Sequence, residues 1–164
     1  MATPNEKLAE SLQALRAIQS RSVAAIRSSD LTRTHRERLI KNGFLQEVMK
    51  GWYISTNPNS EPGETTPWYA SYWDFCAEYL NSRFGETWCL SPEQSLSLHA
   101  GNRTVPNQLI VRTPRGGNKP TGLIFNTSIF DLRSTMPLAR NVVEDDGLRL
   151  FAIPAALVEI SSGF

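Results

Sequence analysis

The sequence has few of the residues from which catalytic and metal centres are usually built. Its 164 residues include two cysteines, Cys76 and Cys89, and two histidines, His35 and His99. The cysteines lack the CxxC spacing of a zinc or redox motif, and no nucleophile, base and orienting group form a recognisable set. We therefore expect that the protein is not an enzyme and that it has no catalytic residues, no metal site and no cofactor.

Long apolar runs are also missing. No stretch of about 18 apolar residues occurs, so no membrane span is expected. The polar N-terminus, MATPNEKLAESLQ, lacks the apolar core of a signal peptide. These two absences predict a cytoplasmic protein without a membrane partner. With 40% hydrophobic and 20% charged residues, the composition is typical of a globular protein.

The charge is almost balanced overall but unevenly distributed. The net charge is +1, which does not favour a general polyanion binder. Residues 1–55 nevertheless carry nine Lys and Arg against five Asp and Glu, whereas residues 56–164 carry eight against eleven. A basic first part and a mildly acidic second part predict different partners for the two.

The first part has the pattern of helices followed by a hairpin. Apolar residues at helical spacing predict an amphipathic helix over 5–19, with Asn5 as its N-cap. Residues 28–30 have the chemistry of a short helix or turn. A further helix is predicted over 32–42, ended by Gly43. The apolar anchors of the first two segments are Leu8, Leu12, Leu15, Ile18, Val23 and Ile26.

The segment THRERLIKNGFLQEVMKGWYIS, residues 34–55, continues that pattern. Two short strands are predicted around 44–48 and 52–54, joined by a tight turn at Lys50 and Gly51. Helix, short helix, helix and hairpin follow one another in the order of a winged helix-turn-helix. We therefore predict such a DNA-binding domain over residues 1–57.

Basic and polar side chains fall on one face of the predicted helix 32–42. Arg33 lies at its N-terminal end, where recognition helices contact bases, and Arg38 is the predicted base reader. Lys50, at the hairpin tip, is placed to meet DNA phosphates. Two alternatives stay open: the face is only solvated, or Arg36 lays its stem along the core. The candidate contacts to double-stranded DNA are Arg33, Thr34, Arg36, Arg38, Lys41 and Lys50.

The second part follows a linker rich in Pro, Gly and Asn at 58–66. Residues 67–164 predict a small mixed α/β domain, so that the whole chain is of the α+β class. The segment 113–122, TPRGGNKPTG, lacks the order of a phosphate-binding loop and predicts a flexible hairpin loop. Predicted strands are 87–90, 108–113, 121–125, 128–133 and 147–152, and predicted helices are 67–84, 91–101 and one beginning at Pro154.

Two segments carry a family resemblance. DLTRTHRERLIKNGFLQEVMKGWYI (30–54) resembles the N-terminal winged helix of AbiEi-type antitoxins of type IV toxin–antitoxin systems. SLSLHAG (95–101), followed by VPNQLIVRTP (105–114), resembles part of the second domain of that family. Together they extend the resemblance over about residues 5–160. In the first segment the matching residues are Arg38, Leu39, Ile40, Gly43, Leu45, Val48, Lys50, Gly51 and Tyr53.

The resemblance implies a transcriptional regulator that represses its own operon and contacts a cognate toxin through its C-terminal domain. Similar N-terminal segments also occur on Fic-type AMP-transferases, and no Fic motif is present in this sequence. The alternative is therefore a non-catalytic regulatory module joined to a downstream catalytic domain. The sequence stops soon after the helix that begins at Pro154. Two alternatives stay open: Phe164 is the natural C-terminus, or the sequence is cut within a longer protein.

Overall fold

A computed structural model of the chain describes residues 1–21, 24–61 and 63–162. These residues form a mixed α+β protein, in which we find five α-helices and three small sheets. The chain divides into two compact units, Met1–Phe75 and Cys76–Phe164. Over the same residues, the helices are too short or too polar to cross a membrane.

The first unit begins with two helices separated by a short strand. Helix α1 and helix α2 both occur where the sequence predicts them, with ends that differ by about one residue. The predicted N-cap Asn5 is wrong, because Thr3 caps α1: its hydroxyl accepts from the Glu6 amide, and the Glu6 carboxylate accepts from the Thr3 amide. The elements in chain order are α1 (Pro4–Gln19), β1 (Ile26–Arg27), a 3-10 helix (Ser28–Asp30) and α2 (Arg33–Lys41).

A hairpin follows α2, as the sequence predicts. It consists of β2 (Leu45–Met49) and β3 (Trp52–Ser55), with Lys50 and Gly51 in the turn. Gly51 has a φ of +85°, a conformation that strongly favours glycine at this turn. Strand β1 pairs antiparallel with β3, so that the sheet order is β1-β3-β2. Two residues are too few to show a strand periodicity, which is why β1 is absent from the prediction.

The core of this unit lies between the two helices and the sheet. Ile26, one of the predicted anchors, is buried, whereas Val23 lies outside the described residues. Leu39 is completely buried and fastens α2 to this core. The buried cluster consists of Leu15, Ile18, Ile26, Leu31, Leu39, Leu45 and Tyr53.

Helix α3 (Thr66–Phe84) follows the predicted linker, of which Pro62 lies outside the described residues. The division between the two units falls within this helix. In its first half, the ring of Trp68 makes edge-to-face contacts with Tyr72 and Phe75, at centroid distances of 5.3 and 5.2 Å. Such contacts add to the large apolar area that these aromatic residues bury.

The second unit is built on a four-stranded sheet of order β4-β5-β7-β6. Strands β5 and β7 are parallel, whereas the other pairs of this sheet are antiparallel. A separate hairpin is formed by β8 and β9. The elements are β4 (Cys89–Leu90), α4 (Pro92–His99), β5 (Gln108–Thr113), β6 (Pro120–Gly122), β7 (Ser128–Arg133), a 3-10 helix (Ala139–Asn141), β8 (Val142–Asp145), β9 (Leu148–Phe151) and α5 (Ile153–Ser161).

For this unit two predictions are wrong, and one strand is missing from the prediction. The strand predicted at 121–125 ends at Gly122, because Phe125 and Asn126 adopt positive φ angles in a turn. Strands β5 and β6 do not form a hairpin, since β7 lies between them. Strand β8 is missing from the prediction, because its acidic second half, Glu144 and Asp145, hides the strand pattern.

Candidate nucleic-acid interface

Helix α2 has one buried side and one exposed side. Thr32 caps its N-terminus by accepting a hydrogen bond from the His35 amide. Leu39 faces the core, and the opposite surface carries polar side chains at helical spacing. The exposed members of this surface are Arg33, Thr34, Glu37 and Lys41. The structure therefore places three of the six candidate DNA contacts on one exposed surface of α2.

Arg33 is the first residue of α2 and forms an ion pair with Glu37 one turn later. The Nε atom of Arg33 lies 2.8 Å from Oε1 of Glu37, and the two side chains are 83% and 63% exposed. The hydrogen bond and the charge of Glu37 raise the pKa of Arg33, which is charged at any physiological pH in any case. Both side chains of this pair therefore lie in solvent.

Arg36 holds the segment that leads into α2. Its Nη1 atom donates to the carbonyl oxygen of Ser28 at 2.7 Å and to that of Leu31 at 3.3 Å. These two carbonyls belong to the 3-10 helix and to the residue after it. The Arg36 guanidinium thus makes hydrogen bonds within the fold.

Arg38 connects α2 to α1. Its Nη1 atom donates to the Lys7 carbonyl oxygen at 3.0 Å and to Oγ of Ser11 at 2.9 Å. Ser11 is completely buried, and its Oγ also lies 2.7 Å from Nδ1 of His35. Ser11 is not among the residues that the sequence singles out. Its position beside the apolar stripe of Leu8, Leu12 and Leu15 could have indicated a buried polar contact.

A cleft of about 470 Å³ lies where the start of α1 meets α2. Two lysines, Lys7 and Lys41, are exposed at this cleft. Lys7 is not among the sequence-based candidates, because nothing in the pattern of α1 separates it from an ordinary solvated lysine. The cleft is also lined by Pro4, Asn5, Leu8, Thr34, Glu37, Arg38 and Asn42.

The hairpin adds a second group of cations to the first unit. Lys50 is exposed in the turn, as predicted. Arg27 of β1 lies over the ring of Trp52, with Cζ 4.9 Å from the ring centroid, and it is also exposed. Arg27 is a further basic residue that the sequence does not single out, because its position depends on the pairing of β1 with β3.

The second unit contains the remaining residues considered for chemistry. Cys76 and Cys89 are both buried, and burial raises the pKa of the Cys89 thiol to about 12. A thiol with this pKa is protonated at neutral pH and is a poor nucleophile. His99 Nε2 lies 2.8 Å from the carbonyl oxygen of Phe151, which gives it a structural contact. In the described ranges no three His, Cys, Asp or Glu residues are grouped as metal ligands.

The loop predicted to be flexible, between β5 and β6, is hydrogen-bonded to β7. Gly117 N donates to Oδ2 of the buried Asp131 at 2.7 Å, and Asn118 N donates to the Asp131 carbonyl oxygen at 2.9 Å. Arg133 N donates in turn to Oδ1 of Asn118 at 2.7 Å. These bonds fix the backbone of the loop. Arg115 and Lys119 lie exposed on this loop.

No family model, curated protein or solved structure matches the chain. A function is therefore inferred from the geometry of the first unit and from the charges of residues 1–55.

Proposed function

We propose that the protein is a DNA-binding transcriptional regulator whose first unit acts as a winged helix-turn-helix. The observation that carries this proposal is the sheet order β1-β3-β2 together with the exposed polar surface of α2. In chain order, this unit supplies a helix, a short strand, a 3-10 helix, a second helix and a hairpin that pairs with the short strand. In the proposal α2 is the recognition helix and the β2–β3 hairpin is the wing.

The size and charge of this surface support DNA as the partner. Helix α2 has nine residues, which corresponds to a length of about 14 Å. An α-helix with its side chains is about 10–12 Å wide, so it fits a major groove about 12 Å wide. Residues 1–55 carry the excess of basic over acidic residues, and most of these charges are exposed. The net positive charge of residues 1–55 favours the phosphate backbone.

The six candidate residues have different roles in this proposal. Arg33 and Thr34, at the N-terminal turn of α2, contact base edges, while Lys41 and Lys50 contact phosphates. Arg36 and Arg38 hold α2 in position through their contacts with the 3-10 helix and α1. Base reading by Arg38, expected from its spacing, is therefore replaced in the proposal by a positioning role.

The resemblance to AbiEi-type antitoxins extends the proposal to regulation of the protein's own operon, with a toxin bound by the second unit. Exposed apolar side chains on α5, at Ile153, Leu157 and Val158, support a protein partner for that unit. The same exposed side chains equally support contact with a downstream Fic-type catalytic domain. A regulatory module of such an enzyme is therefore the second candidate.

The proposal is tested by fluorescence anisotropy with a duplex from the region upstream of the gene. We expect salt-dependent binding by the wild-type protein. Lys50→Ala should weaken binding to all sequences alike and reduce the slope of log affinity against log salt by about one unit, because one phosphate contact is lost. Arg140→Ala removes an exposed cation from the second unit and serves as the matched control, with an unchanged slope. Equal slopes for wild type and Lys50→Ala would contradict the wing contact.

A further inference from the structure

Arg33 occupies a position that helix stability does not favour. It is the first residue of α2, whose first turn contains no acidic residue. The N-terminus of a helix carries a partial positive charge, so a cation there is unfavourable and an acidic residue would be stabilising. The order Arg then Glu along the helix is also the weaker orientation of such a pair. Because an exposed ion pair contributes only about 0–1 kcal/mol, stability does not explain the Arg33–Glu37 pair.

The geometry of the pair leaves recognition groups available. Glu37 Oε1 accepts from Nε of Arg33, and within the described part of the chain the two terminal nitrogens of Arg33 have no protein partner. Those two nitrogens form the fork that bonds O6 and N7 of guanine. The second oxygen of Glu37 likewise makes no hydrogen bond to the described residues, and a carboxylate accepts from N4 of cytosine.

The other arginines of α2 are already engaged. Arg36 donates to two backbone carbonyls, and Arg38 donates to the Lys7 carbonyl and to the buried Ser11. Moving either guanidinium to DNA would break these bonds. Of the arginines of this helix, Arg33 is thus the one whose terminal nitrogens are available without such a loss.

On the basis of the proposed DNA-binding function, we infer that Arg33 and Glu37 act as one unit that selects a G·C base pair in the major groove. Arg33 donates to O6 and N7 of the guanine. Glu37 holds the plane of the guanidinium and accepts from N4 of the paired cytosine. The pair gives specificity rather than affinity, since its two charges cancel near the phosphates.

The test is selection from a pool of DNA duplexes with a randomised central segment, followed by sequencing of the bound fraction. The wild-type protein should enrich a G·C pair at one position. Arg33→Lys keeps the charge but loses the fork, so its preference at that position should fall by about 5- to 150-fold, with an unchanged salt slope. Glu37→Gln should reduce the same preference, while its affinity for unselected DNA stays equal or increases. Arg16→Lys, an exposed arginine of α1, is the matched control and should keep the wild-type preference.

The possible failures are distinguishable. If the wild-type protein binds duplexes without a base preference, or if both variants keep the wild-type preference, this inference is overturned and the proposed function stands. If the wild-type protein retains no duplex at any salt concentration, the proposed function fails and the inference fails with it. Thermal unfolding of both variants should match the wild type, because the two side chains are exposed.

Discussion

Arg38 of α2 donates a hydrogen bond of 2.9 Å to Oγ of Ser11 in α1, and Ser11 is completely buried. The same oxygen lies 2.7 Å from Nδ1 of His35 and 3.2 Å from the Lys7 carbonyl oxygen. One buried hydroxyl thus connects two side chains of α2 to α1. This connection fixes how α2 sits on α1, and with it the direction of the exposed surface of α2.

Ser11→Ala should destabilise the protein by about 1–3 kcal/mol. The substitution removes the buried partner of His35 and one of the two partners of Arg38, and unsatisfied polar groups carry a cost of this size. Chemical denaturation, followed by circular dichroism, measures the change in the free energy of unfolding. Ser20→Ala, at the exposed C-terminal end of the same helix, is the matched control and should change it by less than about 0.5 kcal/mol. Equal stability of the two variants would mean that the Ser11 contacts do not hold the helices together.

Gly116→Ala should be far more damaging than Gly117→Ala. A Cβ at Gly116 would lie 2.6 Å from the Arg133 nitrogen and 2.7 Å from the Asp131 carbonyl oxygen, so that the backbone of β7 would have to move. A Cβ at Gly117 meets no described atom closer than 3.4 Å, and neither glycine needs a positive φ. We expect a loss of about 1–3 kcal/mol or more for the first variant and a small change for the second. Thermal melts of the two variants, recorded side by side, check this; a larger loss for Gly117→Ala would argue against the close crossing of loop and strand.

Stability should fall above pH 9 in a way that depends on Cys89. Burial raises the pKa of its thiol from 9.0 to about 12, opposed by the charges of Arg112 and Arg149. Above pH 9 the unfolded chain loses this proton while the folded chain keeps it. The free energy of unfolding therefore decreases as the pH rises from about 9 towards 12, by up to about 1.4 kcal/mol per pH unit.

Cys89→Ser removes this titration. The difference in unfolding free energy between wild type and Cys89→Ser, measured by urea denaturation at several pH values, should be constant up to about pH 8 and should then shift against the wild type. Other groups that titrate in this range, including Tyr53, are present in both proteins and cancel in the difference. A difference that stays constant up to pH 11 would show that the Cys89 thiol ionises as easily in the folded state as in the unfolded chain.

Local chemistry explains which parts of the fold are predictable. The apolar spacing of α1, the glycine after α2 and the Lys50–Gly51 turn act over a few neighbouring residues, and the corresponding elements occur where the sequence predicts them. Strand β1 and the insertion of β7 between β5 and β6 depend on partners distant in the chain. Long-range pairing of this kind leaves no local pattern from which it could be predicted.

The sequence by itself determined the composition of the candidate interface: a basic first part, a helix with Arg and Lys on it, and a lysine at a tight turn. Only the tertiary structure decided which contacts each arginine makes. Arg36 and Arg38 have the same chemistry as Arg33, and their positions along the helix do not show which of the three makes contacts within the fold. The folded chain brings the carbonyls of Ser28 and Leu31 within 3.5 Å of the Arg36 guanidinium. It brings the Lys7 carbonyl and Ser11 Oγ equally close to that of Arg38. Arg33, in contrast, faces solvent beside Glu37.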